Sequence, residues 1–91
     1  MLTLVILDED GQPRDRLHPD GNWPCLVAHL LGSDARRVIL HQRRTMPAPL
    51  DRDIALTRSL HRRLRALDIH LADHLIDTPT GRFSFRNAGL L

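Results

Sequence analysis

Ala72-Asp-His-Leu-Ile-Asp-Thr-Pro-Thr-Gly-Arg-Phe-Ser-Phe-Arg-Asn-Ala-Gly-Leu-Leu91 carries most of two strands and the turn that joins them. The apolar stretch Ile69 to Ile76 reads as one strand, and Asp77-Thr78-Pro79-Thr80-Gly81 supplies turn chemistry. Arg82 to Arg86 then returns as a second strand, ahead of a Gly89-Leu90-Leu91 tail. A lone hairpin is marginal in water, so this one needs further strands beside it and an apolar helix face against it. Phe83 and Phe85 are expected to pack there, as are Trp23 and Met46 elsewhere.

The rest of the chain provides those partners. Leu2 to Leu7 is apolar and β-branched at its centre, and Asp8-Glu9-Asp10-Gly11 ends it with turn residues. Gln12 to Leu17 returns as a second strand, which Pro13 pushes to an edge. His18-Pro19-Asp20-Gly21-Asn22 is a loop by composition. Trp23, Leu26, Val27, Leu30 and Leu31 recur at helical spacing, with Asn22 as cap, Pro24 in the first turn and Gly32 as the stop. Arg37 to His41 reads as a buried strand through Val38-Ile39-Leu40. Pro47 and Pro49 keep Gln42 to Leu50 out of a helix. From Asp51 to about Ala66 a long helix carries the stripe Leu56, Leu60, Leu64 and Leu67, with Arg58, Arg62 and Arg65 opposite. The order strand–strand–helix–strand–helix–strand–strand implies an α/β fold: a small mixed sheet with one long and one shorter helix packed against it.

Ninety-one residues make one domain, and an apolar fraction of 42% suits a globular chain. The apolar run Leu4 to Leu7 is far too short to cross a bilayer, and Met1-Leu2-Thr3 lacks the basic start of a secretory signal. A single Cys25 cannot form an internal disulfide and suits a reducing cytoplasm; within its apolar helix it is expected to be a buried thiol. All thirteen basic residues are Arg, and the net charge is only +2. Arg36-Arg37, Arg43-Arg44, Arg58, Arg62-Arg63 and Arg65 are read as solvated charges offset by eleven acids. No aromatic residue sits among them, which argues against stacking on single-stranded bases. No Gly-rich phosphate loop, Cys-x-x-Cys pair or Gly-x-Ser-x-Gly elbow is present.

Together with Arg37-Val-Ile-Leu-His41 and Asp53-Ile-Ala-Leu-Thr-Arg58, the C-terminal stretch closely resembles RadC-type JAB/MPN domains, relatives of the JAMM isopeptidases. The resemblance covers the last 55 residues or so. It implies the family's cytidine-deaminase-like sandwich, over a single domain 1–91 shortened at its N-terminal side. It also implies a zinc site, with ligands from His-x-His after the central strand and from the Asp of a Ser-x-x-Asp. A Glu on an earlier strand is the base, and the Ser helps stabilise the tetrahedral intermediate. A hydrolytic zinc needs three such ligands, an open position for water and that base.

In this chain His41 matches the first His and Asp53 the metal-binding Asp, while Arg43 stands at the second His and Leu50 at the Ser. The position of the Glu would fall ahead of Met1. Arg cannot coordinate zinc and repels a cation. The motif is therefore read as degenerate, with His41 and Asp53 as vestigial metal residues, no catalytic residue and no cofactor. Asp51 or His18 would be needed to complete a different set. Asp53 has a plain role as a first-turn carboxylate of the long helix. An Arg43–Asp53 ion pair is expected to take the place of the metal. In the functional reading Asp73 and His74 form a pair that orients the metal site; otherwise the imidazole of His74 bonds a neighbouring backbone group. His61 and His70 read as surface residues.

The resulting expectation is a non-catalytic interaction module in the cytoplasm, off the membrane. It would bind an unknown protein or a second copy of itself through an edge strand or the Trp23 to Leu31 helix. Pro13, Arg14, Asp15 and Arg16 are the features that would protect a monomer's edge. Two other classes stay open: a zinc-dependent JAMM-type metallopeptidase with an atypical ligand set, and a DNA-repair-associated accessory domain with weak, non-specific DNA binding.

Overall fold

A computed structural model describes residues 2–19 and 21–91, so Met1 and the Asp20 of the expected loop lie outside the described residues. Among these described residues five strands and two helices follow in the order the sequence pattern requires: β1 (Leu2–Leu7), β2 (Pro13–Leu17), α1 (Trp23–Gly32), β3 (Arg37–Arg43), α2 (Asp51–Arg65), β4 (His70–Thr78) and β5 (Gly81–Ser84). The sheet order is β2-β1-β3-β4-β5. Only β3 and β4 run parallel, because α2 connects them as a crossover; the other neighbours are antiparallel. Pro13 lies on an edge strand, opposite Leu7, where its missing N–H costs no central ladder bond.

Strand alternation divides the sheet into two faces. Leu4, Ile6, Val38, Leu40 and Leu71 turn to one side and form the main core with Leu30 of α1 and Leu64 of α2. Both helices therefore cover the same face. On the other side Val5, Leu7, Ala72 and Ile39 make a smaller apolar cluster. The pairing of β3 with β4 shifts register at one point, where Val38 pairs with Leu71 but Ile39 pairs with Asp73. Beyond it Leu40 opposes His74 and His41 opposes Leu75.

Several local expectations need correction. The stripe of α2 that faces the sheet is Asp53, Thr57, Leu60 and Leu64, spaced four, three and four, with Leu67 continuing it in the turn beyond the helix, while Leu56 is 40% exposed on its flank. Cys25 is exposed, because the third residue of α1 lies on the helix's outer side. The Asn22 side chain caps α1 by accepting from the Cys25 N–H at 3.1 Å. The stop comes one residue later than Gly32: Ser33 closes the helix and Asp34 takes the left-handed conformation at φ +52°. The last strand ends at Ser84, and Phe85 drops fully into the interior.

Among the described residues no helix is long and apolar enough to cross a membrane. Among the leucines of α2, packing makes Leu64 the most sensitive. Leu64→Ala should cost about 2–5 kcal/mol, and Leu56→Ala about 1 kcal/mol or less. Urea midpoints of the two variants check this ranking, and equal losses would place Leu56 in the core after all.

Candidate functional site

Alternation along β3 decides which residues reach α2. Val38 and Leu40 point into the core, so positions 42 and 44 continue that side and 41 and 43 lie on the reverse. Arg44, just beyond the end of β3, meets Asp53 in the first turn of α2. Arg44 Nη1 donates to Asp53 Oδ1 and Nη2 to Oδ2, both at 2.6 Å. The side chains are 9% and 5% exposed, so this is a buried, two-pronged ion pair. Asp53 Oδ2 also accepts from the Leu50 N–H at 2.7 Å. A leucine side chain has no acceptor, so only the return half of a capping box forms at this helix start. The Arg44 guanidinium pulls the Asp53 carboxyl below the usual aspartate range, against its burial and with help from the Leu50 N–H. Asp53 in turn raises the pKa of Arg44.

Arg44 also shapes the loop that leads to α2. Its Nε donates to the Met46 carbonyl at 3.2 Å and Nη2 to that of Pro47 at 2.8 Å. The ion pair expected of Arg43 is thus made by its neighbour, because Arg43 sits on the wrong side of the strand and is exposed. Sequence reasoning passed over Arg44, although the inward parity of Val38 and Leu40 already pointed to it.

His41 is not brought to Asp53. On the reverse face its Nε2 lies 2.7 Å from Asp77 Oδ2. Asp77 also accepts from Arg82 Nε at 2.7 Å and Nη2 at 3.1 Å. These bonds, Arg82's first and then His41's, hold the Asp77 carboxyl far below its ordinary range. The two vestigial candidates therefore belong to separate polar groups on opposite faces. Asp51 and His18 are both exposed and add nothing to either.

Asp73 and His74, adjacent in sequence, also point apart. Asp73 Oδ1 accepts from the N–H groups of His74 and Arg86, and Oδ2 from Ser84 Oγ at 2.6 Å, so this carboxylate ties β5 and the chain after it to β4. It orients nothing around Asp53. The His74 imidazole is fully buried, and its partner is a side chain rather than the backbone: Nδ1 lies 2.5 Å from Thr57 Oγ1. The ring stacks on Phe85 with centroids 4.4 Å apart, and Nε2 has no partner among the described residues. Asp53 and Thr57, one turn apart on α2, thus set a row of buried polar contacts along β3 and β4. His70 is exposed as expected, but His61 is half-buried, with an Nδ1 that has no partner among the described residues.

Burial pushes the His74 pKa down from 6.5 to about 4. The folded state keeps the ring neutral down to about pH 4, whereas the unfolded chain protonates near the ordinary value. His74 therefore contributes its full stability above pH 6.5, and this is lost progressively as pH falls towards 4. The loss should amount to about 3 kcal/mol. Urea unfolding across that range measures it. The double variant Thr57→Val, His74→Leu should flatten the profile, and an unchanged slope would mean that another group titrates.

A hydrolytic zinc centre does not fit this donor set. The guanidinium occupies both oxygens of Asp53, and His41 lies behind the sheet. No group of three His, Cys, Asp or Glu among the described residues is placed to hold a metal. The Ser position is Leu50, which offers backbone groups and no hydroxyl. The fold nevertheless keeps the framework that the resemblance implied: a central strand, a crossover helix opening on Asp53, and the β4–β5 hairpin. No curated protein matches the chain. The family profile described as the RadC-like JAB domain matches residues 24–90, reaching back to include α1. By that match over well more than half of its length, the chain belongs to the RadC-like JAB domain family.

Proposed function

We propose that this domain is a non-catalytic family member in which the Arg44–Asp53 pair takes the structural place of the zinc, and that it acts as a protein-interaction module. The observation that carries the reading is the buried bidentate contact, with two 2.6 Å bonds on the carboxylate that the motif reserves for metal. A fixed cation there supplies the charge balance an ion would supply, without a water to activate. The module works in the cytoplasm with a protein partner, a second copy being the simplest. The exposed side of α1 supports this, for it leaves Leu31 56% exposed, along with Cys25 and Ala28. The peptidase alternative needs a ligand set drawn from both sheet faces. The DNA-binding alternative loses Arg44 from its basic surface, because that guanidinium is buried on Asp53.

Elemental analysis of protein purified without chelator tests the reading. Well under one zinc per chain is expected, and stoichiometric zinc lost on His41→Ala or Asp53→Ala would overturn it. Side preference sharpens the test. Gln42→His with Arg44→His places two imidazoles on the side of Asp53 and should create measurable zinc affinity. Arg43→His, beside the existing His41, should not. Tighter zinc binding by the second variant would show that the motif alignment, not strand parity, defines the site.

A further inference from the structure

Between the start of α1, the middle of α2 and the start of β1 lies a cavity of ≈ 170 Å³. Leu4 and Leu40 lie beneath it, buried in the core, and its accessible lining is formed by Trp23, Leu26 and Leu56. Leu56 is 40% exposed because it borders this opening instead of the sheet. The cavity shares no lining residue with the Arg44, Asp53, Thr57 and His74 row. An apolar cavity of about 150 Å³ is known to stay dry and to accept benzene. The space here therefore matches one benzene-sized group, and burying such a group on leucine is favourable in proportion to the area covered.

The rim adds a charge. Arg63 lines the cavity with its guanidinium carbon 5.3 Å from the centroid of the Trp23 ring. Among the described residues no carboxylate pairs with it. Contact with the ring face holds the guanidinium in place while using none of its N–H donors in a hydrogen bond. Those donors suit a carboxylate, which a guanidinium grips through two parallel bonds.

We infer that this cavity binds a small amphipathic anion: one benzene-sized apolar group held between Trp23, Leu26 and Leu56, joined to a carboxylate that meets Arg63. Two sources share that chemistry, a free aromatic acid and the C-terminal residue of a peptide chain ending in phenylalanine.

Trp23 is the chain's single tryptophan, so its emission reports directly on occupancy. Phenylacetate should produce a saturable change with a Kd of about 1 mM, together with shifts in the methyl resonances of Leu26 and Leu56. Neutral phenylacetamide should bind at least about tenfold more weakly. Arg63→Gln should remove that difference by weakening phenylacetate alone. Because this substitution also alters the Trp23 environment, affinity in the variant is read from the leucine methyls. Acetyl-glycyl-phenylalanine distinguishes the sources. Tighter binding than phenylacetate supports a peptide terminus, and weaker binding supports a free acid. Absence of saturation, equal affinity for acid and amide, or an equal loss of both in Arg63→Gln would overturn the inference.

Discussion

A carboxylate enclosed at a helix start must find hydrogen-bond donors, and Asp53 governs what surrounds it. Its oxygens take two bonds from Arg44 and one from the Leu50 N–H, at 2.6–2.7 Å. Arg44 then holds the carbonyls of Met46 and Pro47, so the pair fixes the end of β3, the loop and the first turn of α2 together. Removing either partner would leave an uncompensated charge under the helix, a loss that runs to about 3–5 kcal/mol in buried pairs. That is much more than the ~1 kcal/mol or less expected of an exposed first-turn carboxylate. Asp53 thus matters to the fold about as much as a core leucine does.

The rest of α2 follows from this anchor. Its inner face is polar at the start, through Asp53 and Thr57, and apolar further on, through Leu60, Leu64 and Leu67. The polar end gives direction to a contact that leucines alone would leave free to slide, and it carries the acid sensitivity. Among the described residues nothing partners Nε2 of buried His74, so the fold favours the neutral ring. The leucine end provides cohesion. Arg63 and Leu56 sit on the flank of the same helix and open onto a separate apolar space, so one helix serves two unrelated surfaces.

Much of this architecture was legible in the sequence. The apolar runs, turn residues and helical spacing gave every element, and the C-terminal residues together with Asp53-Ile-Ala-Leu-Thr-Arg58 gave the family. The site was legible only in part. Motif spacing pairs residue 41 with 43 and aims both at Asp53, whereas strand parity aims 42 and 44 there. Strand parity, anchored in the core by Val38 and Leu40, decides the outcome. Thr57 escaped notice because a polar residue on an inner helix face announces itself only once its partner is known. Phe85 and His74 likewise stack through tertiary packing, not through any local pattern. The exposed position of Leu56 has the same origin: 53 and 57, not 56, continue the buried row.

The loop between β3 and α2 keeps its fold when a cation balances the buried carboxylate, and Arg44 meets that requirement by geometry and charge. The most direct test is a double-mutant cycle on urea unfolding with Arg44→Met and Asp53→Asn, measured in the presence of chelator. The account predicts a coupling of at least about 2 kcal/mol between the two positions. Losses that add to within about 0.5 kcal/mol would contradict it, because the two side chains would then be stabilised independently of one another.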